Sequence, residues 1–310
     1  MELNFLRWLQ EQMPNSAKIP LGIGDDAALL AQQTGQQTVV TTDMLMDGTD
    51  FVLSECGAFA AGRKAMAVNL SDLAAMGAKP VAAFISLAIP RGSGNDETLN
   101  LAQQLMQGLL PLAAEFECAI AGGDTNSWHG RLVICVTAIG EVVDGKAWRR
   151  SGAQPGDAIL VTGSFGGSIL GRHLSFSPRL RESHLLQSHH AQVHAAIDVS
   201  DGLSLDLSRI CAASSCGAII EVAKIPLSPA AHELAEKGNS QQTALDHALA
   251  DGEDFELILA VPPGEAARLL REQPLAVPLT QIGWFTAEQG LQQQLASGEL
   301  LTLQPRGYEH

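Results

Sequence analysis

Apolar positions along the chain follow two alternating periods, and this pattern predicts strands that alternate with helices. Residues 38–42 form a β-branched run that ends at Asp43. Residues 62–76 have helical composition with their apolar residues on one face, and Gly77 follows them as a typical helix end. Residues 81–89 predict the next strand. Such alternation is typical of α/β or α+β architecture rather than of a helical bundle or a β-sandwich.

The same alternation continues as far as a turn-rich, charged segment at residues 144–156, where we place a domain boundary. Before this segment, a helix beginning at Asp96 and β-type runs at 118–121 and 131–140 complete a first domain. We therefore predict two domains, residues 1–146 and residues 147–310.

The second domain begins with a strand at residues 157–162 and a glycine-rich stretch at residues 163–171. Its further predicted elements are strands at 195–199, 217–222 and 255–261 and helices at 203–213 and 229–237. The histidines between residues 173 and 194 lack the spacing of metal ligands, so we predict that they lie on a solvated surface. The glutamine-rich runs at 32–37 and 289–294 are also predicted to be solvated.

Charge narrows the range of ligands. The 310 residues include 19 lysines and arginines against 34 aspartates and glutamates, a net charge of −15. A field of this sign repels nucleic acid and anionic membrane surfaces. A phosphate ligand would therefore need metal ions to screen it.

Cysteine usage and the amino terminus predict a cytoplasmic protein. The five cysteines are an odd number without a C-x-x-C pair, as expected of reduced thiols. The opening MELNFLRWLQEQ lacks the basic region and long apolar core of a signal peptide. No run approaches eighteen uninterrupted apolar residues, so we predict no membrane span.

The most informative feature is a set of acidic residues in apolar or small-residue surroundings, most of which follow predicted strands. The set comprises Asp25, Asp26, Asp43, Asp72, Asp124, Asp198 and Asp201. A carboxylate in such a setting costs free energy unless a cation or hydrogen bonds compensate its charge. Oxygen ligands without accompanying histidine or cysteine favour Mg²⁺, which proteins hold with a few carboxylates and substrate phosphates. The set therefore predicts Mg²⁺ and a polyphosphate substrate, the requirements of phosphoryl transfer.

Each of these aspartates, taken alone, also has a structural explanation. The Asp25–Asp26 pair suits a helix cap or a turn, and Asp43 and Asp124 suit Asx turns at strand ends. The last two members of the set resemble a helix N-cap. Asp72 is harder to explain in this way, because aspartate is unfavourable inside a helix and its neighbours are apolar. Taken together, the coincidences favour the cation.

No phosphate-binding motif of a common nucleotide fold accompanies these residues. The chain has neither a G-x-x-x-x-G-K-[ST] loop nor the protein-kinase motif set. The sequence GSFGGSILG at residues 163–171 has two interpretations, a phosphate cradle at a helix start or close helix–strand packing. Its spacing is not G-x-G-x-x-G, which favours packing.

Eight motifs in order make the chain resemble the thiamine-monophosphate kinase family, within the superfamily named after aminoimidazole ribonucleotide synthetase. They are GIGDDAALL (22–30), TTDML (41–45), AVNLSDLAAMGAKP (67–80), AGGDT (121–125), RRSGAQPGD (149–157), IDVSDGL (197–203), DGEDFEL (251–257) and GYEH (307–310). The resemblance covers essentially the whole chain.

The resemblance implies a two-domain α/β protein whose N-terminal strands pair across a homodimer. It implies ATP, several Mg²⁺ ions and direct transfer of the γ-phosphoryl group to thiamine monophosphate. The implied metal ligands are Asp26, Thr41, Thr42, Asp43, Asp72, Asp124, Asp198 and Asp201. The implied nucleotide contacts are Gly123, Asp124, Arg150 and Ser200, and the implied substrate contact is Glu253. We expect Asp43, Asp124, Asp201 and Arg150 to be catalytic, with Arg150 as the cation among carboxylates.

Two positions depart from the family pattern, both on the acceptor side. Asp50 stands where a histidine near the substrate is usual, and Pro305 stands where an aromatic residue is usual. Two alternatives therefore stay open. One is an ATP-dependent enzyme of the same superfamily that acts on a different acceptor, and the other is a non-catalytic nucleotide-binding dimer.

Overall fold

The chain folds into two compact units. The computed structural model describes residues 8–9, 11–12, 18–19, 30–31, 33–91, 95–237 and 241–308. The first unit comprises residues 1–73 and 78–146, and the second comprises residues 74–77 and 147–310. The predicted metal ligand Asp26 and the last two residues of the GYEH motif lie outside the described residues.

The first unit contains a mixed four-stranded sheet. Its strands are β1 (Gln36–Met46), β2 (Lys79–Pro90), β3 (Ala119–Trp128) and β4 (Val133–Val143), in the order β1-β4-β2-β3. β4 pairs antiparallel with β1 and β2, whereas β3 runs parallel to β2. The strands that carry Asp43 and Asp124 are therefore the two opposite edges of the sheet.

Both of these aspartates lie inside strands, whereas the sequence predicts strand ends. Pairing continues past them, with Leu45 opposite Ile134 and Asn126 opposite Ala88. Because the backbone stays in the ladder beyond both residues, it makes no turn there. The Asx-turn explanation of Asp43 and Asp124 is wrong.

The first unit also contains two long helices, α1 (Leu53–Ala75) and α2 (Asn95–Glu115). Helical structure begins well before the predicted residue 62, because α1 consists of two helical segments joined at Gly57, whose backbone is non-helical with φ 76°. The two helices approach closely through glycines. A Cβ at Gly62 would overlap the backbone of Leu105, and one at Gly108 would overlap the backbone of Phe59.

The second unit is built on a seven-stranded sheet. Its strands are β5 (Ala158–Thr162), β6 (Ala195–Asp198), β7 (Gly217–Glu221), β8 (Leu257–Val261), β9 (Leu279–Thr286), β10 (Gly290–Gln294) and β11 (Leu300–Thr302), in the order β11-β10-β7-β9-β5-β8-β6. β7 and β10 are parallel, and the other pairs are antiparallel. Every residue of β5 and β8 is buried, which explains their uninterrupted apolar runs.

Helices lie on both faces of this sheet. They are α3 (Arg172–Ser175), α4 (Leu180–Ser188), α5 (Leu203–Ser214), α6 (Pro229–Lys237), α7 (Ala244–Ala250) and α8 (Pro263–Glu272), with 3₁₀ turns at Ser168–Leu170 and Val222–Lys224. Leu207 of α5 joins the core on the face of Ile159, and Leu269 of α8 joins the core on the face of Leu160.

Two segments predicted to be solvated are solvated only in part: His189 and His190 are exposed as predicted, but other residues of both segments pack into the second unit. Residues 180–188 form α4, with Leu180 and Leu186 fully buried, and His173 is buried with its Nδ1 2.9 Å from the carbonyl oxygen of Ser168. Residues 290–294 form β10, because Leu291 fills the core between its glutamine neighbours.

Candidate active site

Three of the predicted metal ligands meet in the N-terminal unit. β1 alternates exposed and shielded positions, so Thr41 and Asp43 share the shielded face with Leu45. α1 brings Asp72 to the same place. The Thr41 hydroxyl donates a hydrogen bond to Asp72 Oδ2, and the Asp72 carboxyl lies close enough to Asp43 to raise the pKa of the Asp43 carboxyl.

The Asp43 carboxyl is poorly compensated by the protein. Its Oδ2 is buried and has no hydrogen-bond partner among the described residues. Burial, together with the carboxylates of Asp72 and Asp50, raises the pKa of Asp43 to about 7. Either a proton shared with Asp72 or a bound cation relieves this repulsion.

The chemistry of this place fits Mg²⁺. It offers two carboxylates, a hydroxyl and a buried oxygen that lacks a partner. Over the described ranges, no three His, Cys, Asp or Glu side chains are grouped closely enough to hold a metal ion. Mg²⁺ usually keeps several waters and is held by one or two carboxylates plus substrate phosphates, so Asp43 and Asp72 suffice as the protein's share.

The strand order separates Thr42 and Asp124 from this pair. β1 and β3 are three strand spacings apart, about 14 Å. The register places Asp124 beside Ser86, in the cross-strand row of Met44, whereas Asp43 belongs to the next row. Neighbouring rows face opposite sides of a sheet, so Asp124 and Thr42 lie on the exposed face. Within one chain, the expected convergence of Asp124 with Asp43 does not occur.

Gly123 precedes Asp124 in β3 and is exposed. A Cβ at this position would overlap the backbone carbonyl oxygen of Ile85 in β2. Strand pairing alone therefore requires glycine here, and the backbone of Gly123 remains accessible to a ligand.

Asp50 lies in the connection between β1 and α1, and its carboxylate is partly used there. Asp50 Oδ2 accepts a hydrogen bond from the Met46 N–H at 2.7 Å. Its carbonyl oxygen accepts one from Lys64 Nζ, and Lys64 is only 1% exposed. Lys64 is a candidate site residue that the sequence analysis did not identify. A lysine within an otherwise apolar helical run could have indicated it, because lysine is rarely buried without a partner.

In the C-terminal unit, the predicted ligand Asp201 is positioned by a second aspartate. Asp206, which is fully buried, accepts hydrogen bonds from the N–H groups of Asp201 at 2.9 Å and Gly202 at 3.1 Å. The N-cap of α5 is therefore Gly202, and neither Asp198 nor Asp201 acts as a capping residue. Asp198 is buried and is the last residue of β6, which was predicted to continue to residue 199.

Arg209 joins the two aspartates. Its Nη1 lies 2.5 Å from Asp201 Oδ2 and 2.6 Å from Asp206 Oδ1. Burial raises the pKa of Asp206 to about 6. The sequence analysis identified neither Asp206 nor Arg209. Their spacing of three residues within α5 places them on one helix face.

Three motifs distant in sequence meet around residues 200 and 201. The N–H of Glu253 donates to the carbonyl oxygen of Ser200 at 2.7 Å, and the N–H of Tyr308 donates to the carbonyl oxygen of Asp201 at 2.9 Å. The predicted nucleotide contact Ser200 and the predicted substrate contact Glu253 are therefore adjacent.

Arg150 is placed less closely. It is exposed before β5, and its carbonyl oxygen accepts a hydrogen bond from Ser214 Oγ at 3.1 Å. No contact within the described part of the chain joins its guanidinium to Asp201 or Glu253. Its catalytic role stays a prediction from the motif.

The glycine-rich loop packs closely and does not form an open phosphate cradle. The N–H of Gly166 donates to both carboxyl oxygens of Asp254 at 3.0 Å, and the N–H of Gly167 donates to Asp251 Oδ2 at 2.9 Å. The donors that a phosphate would need are already used by carboxyl groups, so the packing interpretation is confirmed.

Asp254 predicts how stability depends on pH. Burial raises the pKa of its carboxyl to about 8. Because the folded state binds this proton more tightly than the unfolded state, the resulting stability is complete below about pH 4 and is lost as the pH rises through about 8. We expect the thermal midpoint of the metal-free protein to fall from about pH 5 to about pH 8. Asp254→Asn should flatten this profile in calorimetry, and an unchanged slope would contradict the assignment.

Comparison with known proteins places the chain in a family. Residues 24–142 match the model of the AIR synthase related protein, N-terminal domain, and residues 154–295 match that of the C-terminal domain. The chain therefore belongs to the AIR synthase-related family, whose two domain types account for both units.

Its full-length relatives narrow this class. The chain is 42% identical over 317 residues to the thiamine-monophosphate kinase of Rhodopirellula baltica, with 100% of this chain and 97% of that protein covered. The crystal structure of thiamine-monophosphate kinase from Stenotrophomonas maltophilia K279a matches with a TM-score of 0.78 at 35% identity, covering 96% of each chain. The structure of AaThiL complexed with AMPPCP and TMP matches with a TM-score of 0.76 at 25% identity, covering 100% of this chain and 96% of that one. Within the AIR synthase-related family, the chain belongs to the thiamine-monophosphate kinases.

Proposed function

We propose that this chain transfers the γ-phosphoryl group of ATP to thiamine monophosphate, forming thiamine diphosphate and ADP. The observation that carries the proposal is the buried Asp43 Oδ2 beside Asp72, an oxygen that has no hydrogen-bond partner among the described residues, in a chain of this kinase family. AaThiL, which matches the whole chain, was solved with AMPPCP and TMP, a pair of ligands that corresponds to donor and acceptor.

Direct in-line transfer requires positioning and charge neutralisation rather than a covalent intermediate. Mg²⁺ would supply that neutralisation at the phosphates. Asp43, Asp72 and Thr41 would hold it in the N-terminal unit, and Asp198 and Asp201 are the proposed ligands of the C-terminal unit. Asp26, Thr42 and Asp124 stay proposed ligands from their motifs. Gly123, Ser200 and Arg150 would contact ATP, and Glu253 and Asp50 the acceptor.

The direct test incubates the protein with thiamine monophosphate and ATP, with and without Mg²⁺. Chromatography then measures the thiamine diphosphate and ADP that are formed. We expect turnover that requires Mg²⁺ and produces the two products in equal amounts. ADP release only with another phosphorylated or carboxylated acceptor would replace the substrate. ATP binding without ADP formation from any acceptor would favour a regulatory dimer.

A homodimer through the exposed face of the N-terminal sheet is part of this proposal. Val40 and Met44 on that face are 61% and 60% exposed, and Trp128 is 46% exposed. Several large apolar side chains exposed on the same face of a sheet favour an interaction surface. A second chain on this face would also cover Thr42 and Asp124.

We expect Met44→Asp to convert a dimer into a monomer, because a buried unpaired carboxylate opposes association. Light scattering after size exclusion measures the mass directly. Leu185→Asp, at an exposed position of α4 in the other unit, is the control and should remain dimeric. A monomeric wild-type protein would refute the dimer.

We place this activity in the cytoplasm. All five cysteines are free thiols, which suits a reducing compartment. None of the helices in the described ranges has the length and apolarity that a bilayer crossing needs.

A further inference from the structure

We propose that the glycine-rich loop (residues 163–168) binds carboxyl groups of the segment DGEDFE (residues 251–256). Asp254, held in this way, positions Glu253 for the acceptor. The inference rests on the proposed function, since Glu253 is the proposed acceptor contact. It assigns a positioning role to Asp254, which no motif argument singled out.

Hydrogen bonds join the loop to the segment. Asp254 is 1% exposed, and both of its oxygens lie 3.0 Å from the N–H nitrogen of Gly166. Asp251 Oδ2 accepts the N–H of Gly167 at 2.9 Å, and Ser168 Oγ donates to the carbonyl oxygen of Gly252 at 2.8 Å. Three consecutive loop residues thus hold three residues of the segment.

The glycine-rich loop is itself fixed by close packing. Gly166 has φ 89°, and a Cβ there would come within 2.7 Å of the Ala248 backbone nitrogen in α7. A Cβ at Gly167 would come within 2.5 Å of the Ala230 backbone in α6. The loop therefore lies directly against two helices, and its N–H groups have fixed directions.

The other end of the segment is anchored independently. Phe255 stacks on Phe176, with ring centroids 4.0 Å apart and planes at 12°. Glu256 accepts from Arg179 Nε at 2.6 Å and from Thr162 Oγ1 at 2.7 Å.

Between these anchors the backbone adopts a conformation that it would otherwise leave. Glu253 has φ 53° and Phe255 has φ 50°, both in the left-handed region that non-glycine residues rarely occupy. Such residues persist only where their surroundings over-determine them. Asp254 stands between the two, so loss of its bonds to Gly166 would let Glu253 relax to an ordinary conformation and move its side chain.

The test compares two substitutions at one position. We expect Asp254→Ala to raise KM for thiamine monophosphate about tenfold or more, with KM for ATP changed less than about twofold. Asp254→Asn keeps an oxygen that can accept the Gly166 N–H, so KM for thiamine monophosphate should stay within about threefold of wild type. Titration calorimetry of thiamine monophosphate with AMPPCP present provides a binding readout independent of turnover.

A second variant guards against misfolding of Asp254→Ala. Ser168→Ala deletes only the bond to Gly252 and should raise KM for thiamine monophosphate about threefold. Ser183→Ala is the matched control, because Ser183 is equally buried in the same unit but its hydroxyl has no partner among the described residues. Equal rises in both KM values, no rescue by asparagine, or equal effects of the two serine variants would overturn the inference. A wild-type protein without activity on thiamine monophosphate would instead refute the proposed function.

Discussion

Asp43→Asn is expected to lower kcat for phosphoryl transfer at least about 10²-fold while leaving the protein folded. Asp43 Oδ2 is buried and has no partner in the described part of the chain, and Asp72 lies against the same carboxyl. An amide keeps the shape of the side chain but removes the charge that holds a divalent cation. Steady-state ADP release at saturating Mg²⁺ and ATP measures the loss.

The same variant should change stability in the opposite sense. The wild-type carboxyl has a pKa raised to about 7, so its ionised form is disfavoured in the folded state. Removing it should therefore leave the metal-free thermal midpoint unchanged or higher, whereas the rise on adding Mg²⁺ and ATP should shrink. This combination separates loss of a ligand from loss of the fold.

Glu141→Gln is the matched control for Asp43→Asn. Glu141 lies on β4, beside β1, and pairs with Lys18 at 2.8 Å rather than with another carboxylate. The control should retain both turnover and the thermal response to Mg²⁺ and ATP. If Asp43→Asn behaved in the same way as Glu141→Gln, Asp43 would not hold the cation.

Local signals in the sequence predicted several elements well. Helix α6 has the predicted bounds, Pro229–Lys237, because proline suits the first turn of a helix. The apolar runs at 157–162 and 255–261 predicted strands, and the structure has β5 and β8 there, both fully buried. The strand predicted at 195–199 is β6, one residue shorter than predicted. In each case the residues that determine the structure are neighbours in the chain.

The pairing of distant segments could not be predicted in this way. Nothing local indicates that β4 inserts between β1 and β2, yet this order places Asp43 and Asp124 on opposite edges of one sheet. The expected aspartate N-cap of α5 does not form. Instead, the Asp201 N–H donates to Asp206, which lies in the first turn of α5. The hydrogen bond from the Gly166 N–H to Asp254 joins residues 88 positions apart, and no rule of local spacing predicts it.

Glu256→Ala should produce the largest loss of stability in the C-terminal unit. Glu256 is 1% exposed and accepts three hydrogen bonds from Arg172 and Arg179, with Thr162 donating a fourth. Its removal leaves the two partly buried guanidinium groups with only the more distant carboxylates of Asp254 and Glu182, each 3.9 Å away. Breaking a buried pair in this way costs about 3–5 kcal/mol, which lowers the thermal midpoint by roughly 10 °C in a protein of this size.

The pattern among related variants distinguishes a buried ion network from ordinary loss of side-chain volume. Glu256→Gln keeps the hydrogen-bond acceptor for Thr162 but not the charge, so its thermal midpoint should fall between those of wild type and Glu256→Ala. Glu233→Ala removes an exposed carboxylate that pairs with Lys237 on α6 and should leave the midpoint nearly unchanged. Equal midpoints for Glu256→Ala and Glu233→Ala would contradict the network. Because β8 begins directly after Glu256, the same substitution removes the anchor of the DGEDFE segment next to the core of the second sheet.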